Sequence, residues 1–119
     1  MTAPEKVMQK IIFMATGVQH ADPATVQKTF DEMVDNDETQ DAESELRGGT
    51  EVTGLPCDYS RHYESKAVAA QMLDGSWVGW TYWFGGGKHG EPEAVQWIED
   101  AYDVEMTEVQ RVVREFKRA

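Results

Sequence analysis

The chain has 119 residues, with 22 acidic side chains against 11 basic ones and a net charge of -11. That length fits one domain with a single modest core, and does not fit two. The acidic balance excludes a binder of nucleic-acid backbone or of an anionic membrane, because both need clustered Lys and Arg.

No apolar run approaches the roughly 20 residues that cross a bilayer. The start, Met1 to Lys6, lacks the basic region and small-residue cleavage site of a signal peptide. One cysteine, Cys57, cannot form an internal disulfide, so a cytoplasmic, reduced protein is expected.

Two helices come first. Pro4 suits a first helical turn after Thr2 or Ala3. Val7, Met8, Ile11, Ile12 and Ala15 recur at helical spacing, and Gly17 marks a stop. Asp22 is an N-cap, Pro23 fits the first turn, and Val26, Phe30, Met33 and Val34 form a second apolar stripe. The short link 18–21 predicts a helical hairpin. Core packing accounts for both stripes.

The segment 36–56 reads as an acidic loop or linker between the helical and sheet parts of a single domain spanning 1–119. Its apolar content is little beyond Leu46, Val52 and Leu55. A short helix near 41–47, broken by Gly48-Gly49, is the alternative. From Asp31 to Glu51 nine acids face one base, Arg47. The bland explanation of such a zone is solvation. The sharper one is a surface for a basic partner. A mobile loop would not reproduce the rigid spacing of charge along duplex DNA, so whole-surface mimicry of DNA is not expected.

Asp74-Gly75 between two strand-like runs predicts an antiparallel hairpin with a two-residue turn of type I′. If Leu73 pairs with Ser76, Ala69 faces Trp80, Ala67 faces Tyr82 and Val68 faces Thr81. Lys66 then lies beside Trp83, where a cation–π contact is expected. The second strand is aromatic on both sides, with Val78, Trp80, Tyr82 and Phe84 one way and Trp77, Thr81 and Trp83 the other. A half-solvated sheet should alternate apolar and polar residues. Partial cover of the second face is therefore expected.

Next comes Gly85-Gly86-Gly87-Lys88-His89-Gly90. A helix opening at Pro92 is expected to turn Ala94, Val95, Ile98, Ala101 and Tyr102 inward, with Trp97 on its flank. Beyond Val104, the residues Val109, Val112, Val113 and Phe116 sit at helical spacing. A strand rich in Val, Arg and Phe is the other reading. A second acidic cluster, Glu91, Glu93, Glu99, Asp100, Asp103, Glu105 and Glu108, precedes a tail made basic by Arg111, Arg114, Lys117 and Arg118.

Chemistry-bearing patterns are sparse. The glycine run departs from a phosphate-binding loop in spacing, and no Ser or Thr follows Lys88 to hold magnesium. Glu91 and Glu93 would repel phosphate from that helix start. Cys57, Asp58, His62 and His89 lack a familiar zinc spacing. No arrangement of Ser, His and Asp suggests nucleophilic catalysis. No metal, no cofactor and no catalytic residue are expected.

The stretches CDYSRHYESK (57–66) and GSWVGWTYWFGGGKHGEPEA (75–94) resemble small acidic proteins of bacteriophages and prophages. The resemblance spans about residues 55 to 119 and carries no activity over. It implies a strand at 109–117. Phage-borne domains of this size and charge include inhibitors of host defence, of the anti-CRISPR and antirestriction type.

The fold class expected is α+β: an N-terminal helical hairpin, an antiparallel β-hairpin, then a helix and a C-terminal strand (or helix) in a small antiparallel sheet. The function expected is that of a non-enzymatic, anti-CRISPR-like inhibitor that binds the basic surface of a host nucleic-acid-handling protein. Asp35, Asp37, Glu38, Asp41, Glu43, Glu99, Asp100 and Asp103 would steer that association, and Trp77, Trp83, Trp97 or Tyr82 would anchor it. Two alternatives stand beside it. One is a ligand- or metal-binding domain or enzyme around Arg61, His62, Lys88 and His89. The other is a homodimeric structural module closed through the aromatic sheet face.

Overall fold

A computed structural model describes residues 1–86, 96–109, 112 and 114–118. Among them the fold is α+β, with three helices followed by a four-stranded antiparallel sheet.

Helix α1 (Ala3–Thr16) begins with a capping box. The Thr2 hydroxyl accepts from the Glu5 N–H at 3.3 Å, and the Glu5 carboxylate accepts from the Thr2 N–H at 2.8 Å. Thr2 holds the Glu5 carboxyl below its usual range through those same bonds. Gly17 closes the helix with a left-handed φ of 76°. Helix α2 (Pro23–Asp35) starts where Asp22 accepts from both the N–H and the hydroxyl of Thr25, at 3.0 and 2.9 Å. Between them, the Gln9 side chain donates to the His20 carbonyl at 2.7 Å and fixes the hairpin link. Val7, Met8, Ile11 and Ile12 bury against Val26, Phe30 and Met33. Ala15 and Val34, expected in these stripes, are exposed.

The segment 36–56 is not a loop throughout. It carries helix α3 (Gln40–Arg47) and strand β1 (Glu51–Val52). Ala42 and Leu46, one turn apart, reach the core and hold α3 in place. An acidic surface therefore overlies an ordinary amphipathic helix.

Strands β2 (Glu64–Gln71) and β3 (Trp77–Phe84) form the expected hairpin, in a register different from the one anticipated. Val68 pairs with Trp80, Ala69 with Gly79 and Lys66 with Tyr82. The cause is the turn. Gly75 N–H donates to the Met72 carbonyl at 3.0 Å, and only Gly75 takes a positive φ, at 87°. A type I turn followed by one left-handed residue makes a three-residue loop, not the two-residue type I′ turn. Asp74 instead uses its carboxylate to accept from the N–H and hydroxyl of Ser76, at 2.9 and 2.6 Å. The Lys66 ammonium accordingly lies 5.6 Å from the rings of Tyr82 and Phe84, not over Trp83.

The strand order is β1-β2-β3-β4, each pair antiparallel. Strand β4 is Tyr102–Val104, paired with the start of β3. Among the described residues, the last strand thus lies ahead of 109–117. The described residues of 105–118 belong to no helix or strand. The helix expected from Pro92 falls partly on 87–95, outside the described residues. Its described remainder, 96–101, is a turn closed by Ala101 N–H to the Ile98 carbonyl at 3.1 Å.

The helices cover the sheet face that carries Val68, Ala70, Val78 and Trp80. Trp80 is fully buried. Its ring packs 5.0 Å from Trp97, and its indole N–H donates to the Arg47 carbonyl at 2.7 Å.

Candidate functional site

The acidic corner is built by the end of α2 and the start of α3. Helix α2 finishes in a Schellman arrangement: Glu38 N–H donates to the Met33 carbonyl at 2.9 Å and Asp37 N–H to the Val34 carbonyl at 3.1 Å. Asp37 takes the left-handed position, φ 56°, usually reserved for glycine and tolerated by Asp. The buried Thr39 follows. Its hydroxyl donates to the Glu43 carboxylate at 2.8 Å across the first turn of α3. Asp35, Asp37, Glu38 and Asp41 are exposed on this corner, and Glu43 is half-buried.

Arg47, the one base in the acidic window, fastens the far end of α3. Its guanidinium donates to the Trp83 carbonyl at 2.7 Å and lies 4.9 Å over the Tyr82 ring. Its own carbonyl receives the Trp80 indole. The acidic helix is therefore clamped to the aromatic strand from both sides of one residue. A planar donor to a carbonyl that also stacks on a ring is a combination suited to Arg, not Lys.

Beside the corner lies an open groove of about 570 Å³. Met8, Phe30, Val34, Trp97 and Ile98 give it an apolar lining, and Asp31, Glu43 and Glu99 stand on its rim. The two acidic zones of the sequence meet here. Concave apolar surface with a few charges around it is the shape that takes a side chain cluster of complementary sign.

The remaining expected contact residues are dispersed. Glu99 and Asp100 are exposed on the turn before β4. Asp103, on β4, is engaged internally, accepting from the Lys6 ammonium at 2.9 Å. That bond raises the Lys6 pKa above its usual value. The Ser76 side chain, then its N–H, hold Asp74 below the usual carboxylate range. Trp97 is 5 % exposed and belongs to the core, so it is not a surface anchor. Trp77 and Trp83 are half-buried on the sheet face away from the helices.

On that second face, Tyr102 pairs with Gly79 and Val104 with Trp77. A Cβ at Gly79 would stand 3.0 Å from the Tyr102 ring, so glycine is what lets the ring lie down on the sheet. Burial raises the Tyr102 pKa. Alongside runs the loop after β1, where Ser65 donates to the Asp58 carbonyl at 2.8 Å and the exposed Cys57 sulfur lies 3.6 Å from the Ser65 hydroxyl. Among the described residues, no group of three or more His, Cys, Asp and Glu is placed to hold a metal. Lys88 and His89, and with them most of the glycine run, lie outside the described residues.

Sequence reasoning missed Thr39 and Arg47. The signal for Arg47 was its solitude among nine acids. Thr39 had none, because a buried Thr and a surface Thr look alike in a polar stretch.

Among the described residues, no helix is long and apolar enough to cross a membrane. In comparison with known proteins, the chain matches no family model, no curated protein and no solved structure.

Proposed function

We propose that this chain is a non-enzymatic inhibitor of the phage type, which binds the basic surface of a nucleic-acid-handling host-defence protein and keeps nucleic acid off it. The observation that carries this reading is the acidic corner. Asp35, Asp37, Glu38 and Asp41 project from a helix–turn–helix held by the Schellman bonds at one end and by Arg47 at the other. Fixed carboxylates steer a basic partner, and they lose less entropy on docking than carboxylates on a mobile loop. The half-buried Trp77 and Trp83 supply aromatic area on another surface of the same small domain.

The test uses purified CRISPR effector complexes and restriction enzymes, each assayed for DNA binding with and without the chain. One of them is expected to lose DNA binding at a defined stoichiometry, more readily at low salt. The triple reversal Asp37→Lys, Glu38→Lys, Asp41→Lys is expected to slow association about tenfold at low salt. An unchanged association rate for that variant would remove the corner from the mechanism. Persistence of DNA binding across the whole panel would overturn the proposal.

A further inference from the structure

The sheet face turned away from the helices carries a second open groove, of about 550 Å³, and every residue that lines it lies among the described ones. Its floor is Ala69, buried on β2. One wall is β1 with the chain that follows it as far as Leu55. The other is Trp77 with its cross-strand partner Val104, continued by Met106. Leu55 and Met106 are 46 % and 50 % exposed, and Trp77 and Val104 are half-buried, so the apolar lining stands open to solvent. Exposed apolar surface gathered into a concavity is the shape of a binding site. Three exposed carboxylates, Glu51, Glu105 and Glu108, complete the lining, which holds no Lys, Arg or His. Both walls are fixed in advance. The Thr50 and Thr53 N–H groups donate to the Ala69 and Ala67 carbonyls at 2.9 and 3.0 Å, and Leu55 N–H donates to the Thr53 hydroxyl at 3.2 Å. On the other side, Lys6 holds β4 through Asp103. A groove built beforehand loses little entropy when it is filled.

We propose that this groove binds a protein segment in which a large apolar side chain is flanked by Lys or Arg. The apolar side chain enters between Leu55, Trp77 and Met106, above Ala69. The flanking cations meet Glu51 on one wall and Glu105 and Glu108 on the other. Charge selects this occupant. A second copy docked face to face would set the same three carboxylates against their own kind. The acidic corner has no part in it, because Asp37, Glu38 and Asp41 lie outside the lining. The groove therefore goes beyond the inhibitor reading and does not rest on it: DNA binding that persists across the whole panel would remove that reading and leave this preference standing.

A nuclear magnetic resonance titration of the full chain with synthetic peptides tests this. One peptide places Leu between Arg residues in a Ser-Gly background. The others carry the Arg residues alone, the Leu alone, or Leu between Glu residues. The first alone is expected to shift the signals of Leu55, Trp77 and Met106, with an affinity that falls as salt rises. Leu55→Ser with Met106→Ser, and separately Glu105→Gln with Glu108→Gln, should each weaken that binding about tenfold. All four positions are exposed, so circular dichroism should stay unchanged. Equal binding of the peptide that carries Arg alone would reduce the groove to a diffuse acidic surface and overturn the proposal. So would groove signals that no peptide shifts at any concentration, or binding that survives both double variants. Self-association of the chain in sedimentation, abolished by the same variants, would give the groove to a second copy and overturn it too.

Discussion

The two faces of the β2–β3 hairpin are made by the same sixteen residues and solve opposite problems. On the first, Val68, Ala70, Val78 and Trp80 disappear beneath the helices, and Arg47 and Lys66 cover the rings that extend beyond them. On the second, Ala67, Ala69 and Gly79 are buried while the larger Trp77, Thr81 and Trp83 remain half-open. Large residues are hidden by the helices on one side, and on the other Gly79 is hidden by the Tyr102 ring lying across it. Aromatic content therefore says little about which side of a strand is the core. The difference is made by what lies opposite: three helices in one case and the three-residue strand β4 in the other.

The largest expected effect separates the two faces directly. Trp80→Ala should destabilise the fold by about 3–5 kcal/mol, since a fully buried indole leaves a cavity and the Arg47 carbonyl loses its donor. Trp83→Ala should cost less than about 2 kcal/mol, because that ring is already half in water. Chemical denaturation of both variants measures the contrast, and equal losses would dissolve it. Next in size is Gly79→Ala. The added methyl would sit 3.0 Å from Tyr102 and 3.2 Å from Val104 on the second face, at an expected cost of about 1–3 kcal/mol. In a double-mutant cycle with Tyr102→Ala that cost should shrink; strict additivity would mean the ring is not what glycine accommodates.

The smallest effect belongs to the turn that joins the faces. Because Ser76 holds the Asp74 carboxyl below its usual range, the folded chain gives up this proton more readily than the unfolded one. Its stabilising contribution is present above the ordinary carboxylate pKa and is lost as pH falls through the lowered folded value. The carboxylate side chain is 53 % exposed, so water limits that contribution to under about 1 kcal/mol. Asp74→Asn should flatten this part of the acid-side stability profile. A profile unchanged by Asn would show that the turn's hydrogen bonds carry no net charge effect.

Much of the helical part was legible in the sequence for local reasons. Pro4 after Thr2, and Asp22 with Pro23, are start signals that act within four residues, and the apolar stripes they introduce are long enough to show a period. The hairpin was legible as a hairpin, but its register hung on whether one or two turn residues take positive φ. Asp74 can adopt that conformation and here does not, because Ser76 gives its carboxylate a better use. Strands β1 and β4, two and three residues long, are too short to carry an alternation, and tertiary pairing alone makes them strands. The acidic window misled through charge. Ala42 and Leu46 were the only apolar marks of α3 before Arg47, and solvation explained the rest equally well. Of the candidate site, the acids of the corner were legible as a group; the clamp that makes them a surface was not. Trp97, taken as a flank residue, gave no sign that Trp80 would claim it.

The three-residue loop between Met72 and Ser76 has a consequence for how this chain can vary. Removing one residue from it would leave every amino-acid type in β2 in place, yet slide that strand by one position against β3. Val68 and Ala70 would leave the helices, and Ala67 and Ala69 would take their place beneath them. Glu64 and Lys66 would change sides too. Loop length here acts like a reading frame: substitutions along β2 change single contacts, whereas an insertion or deletion at 73–75 rewrites them all at once.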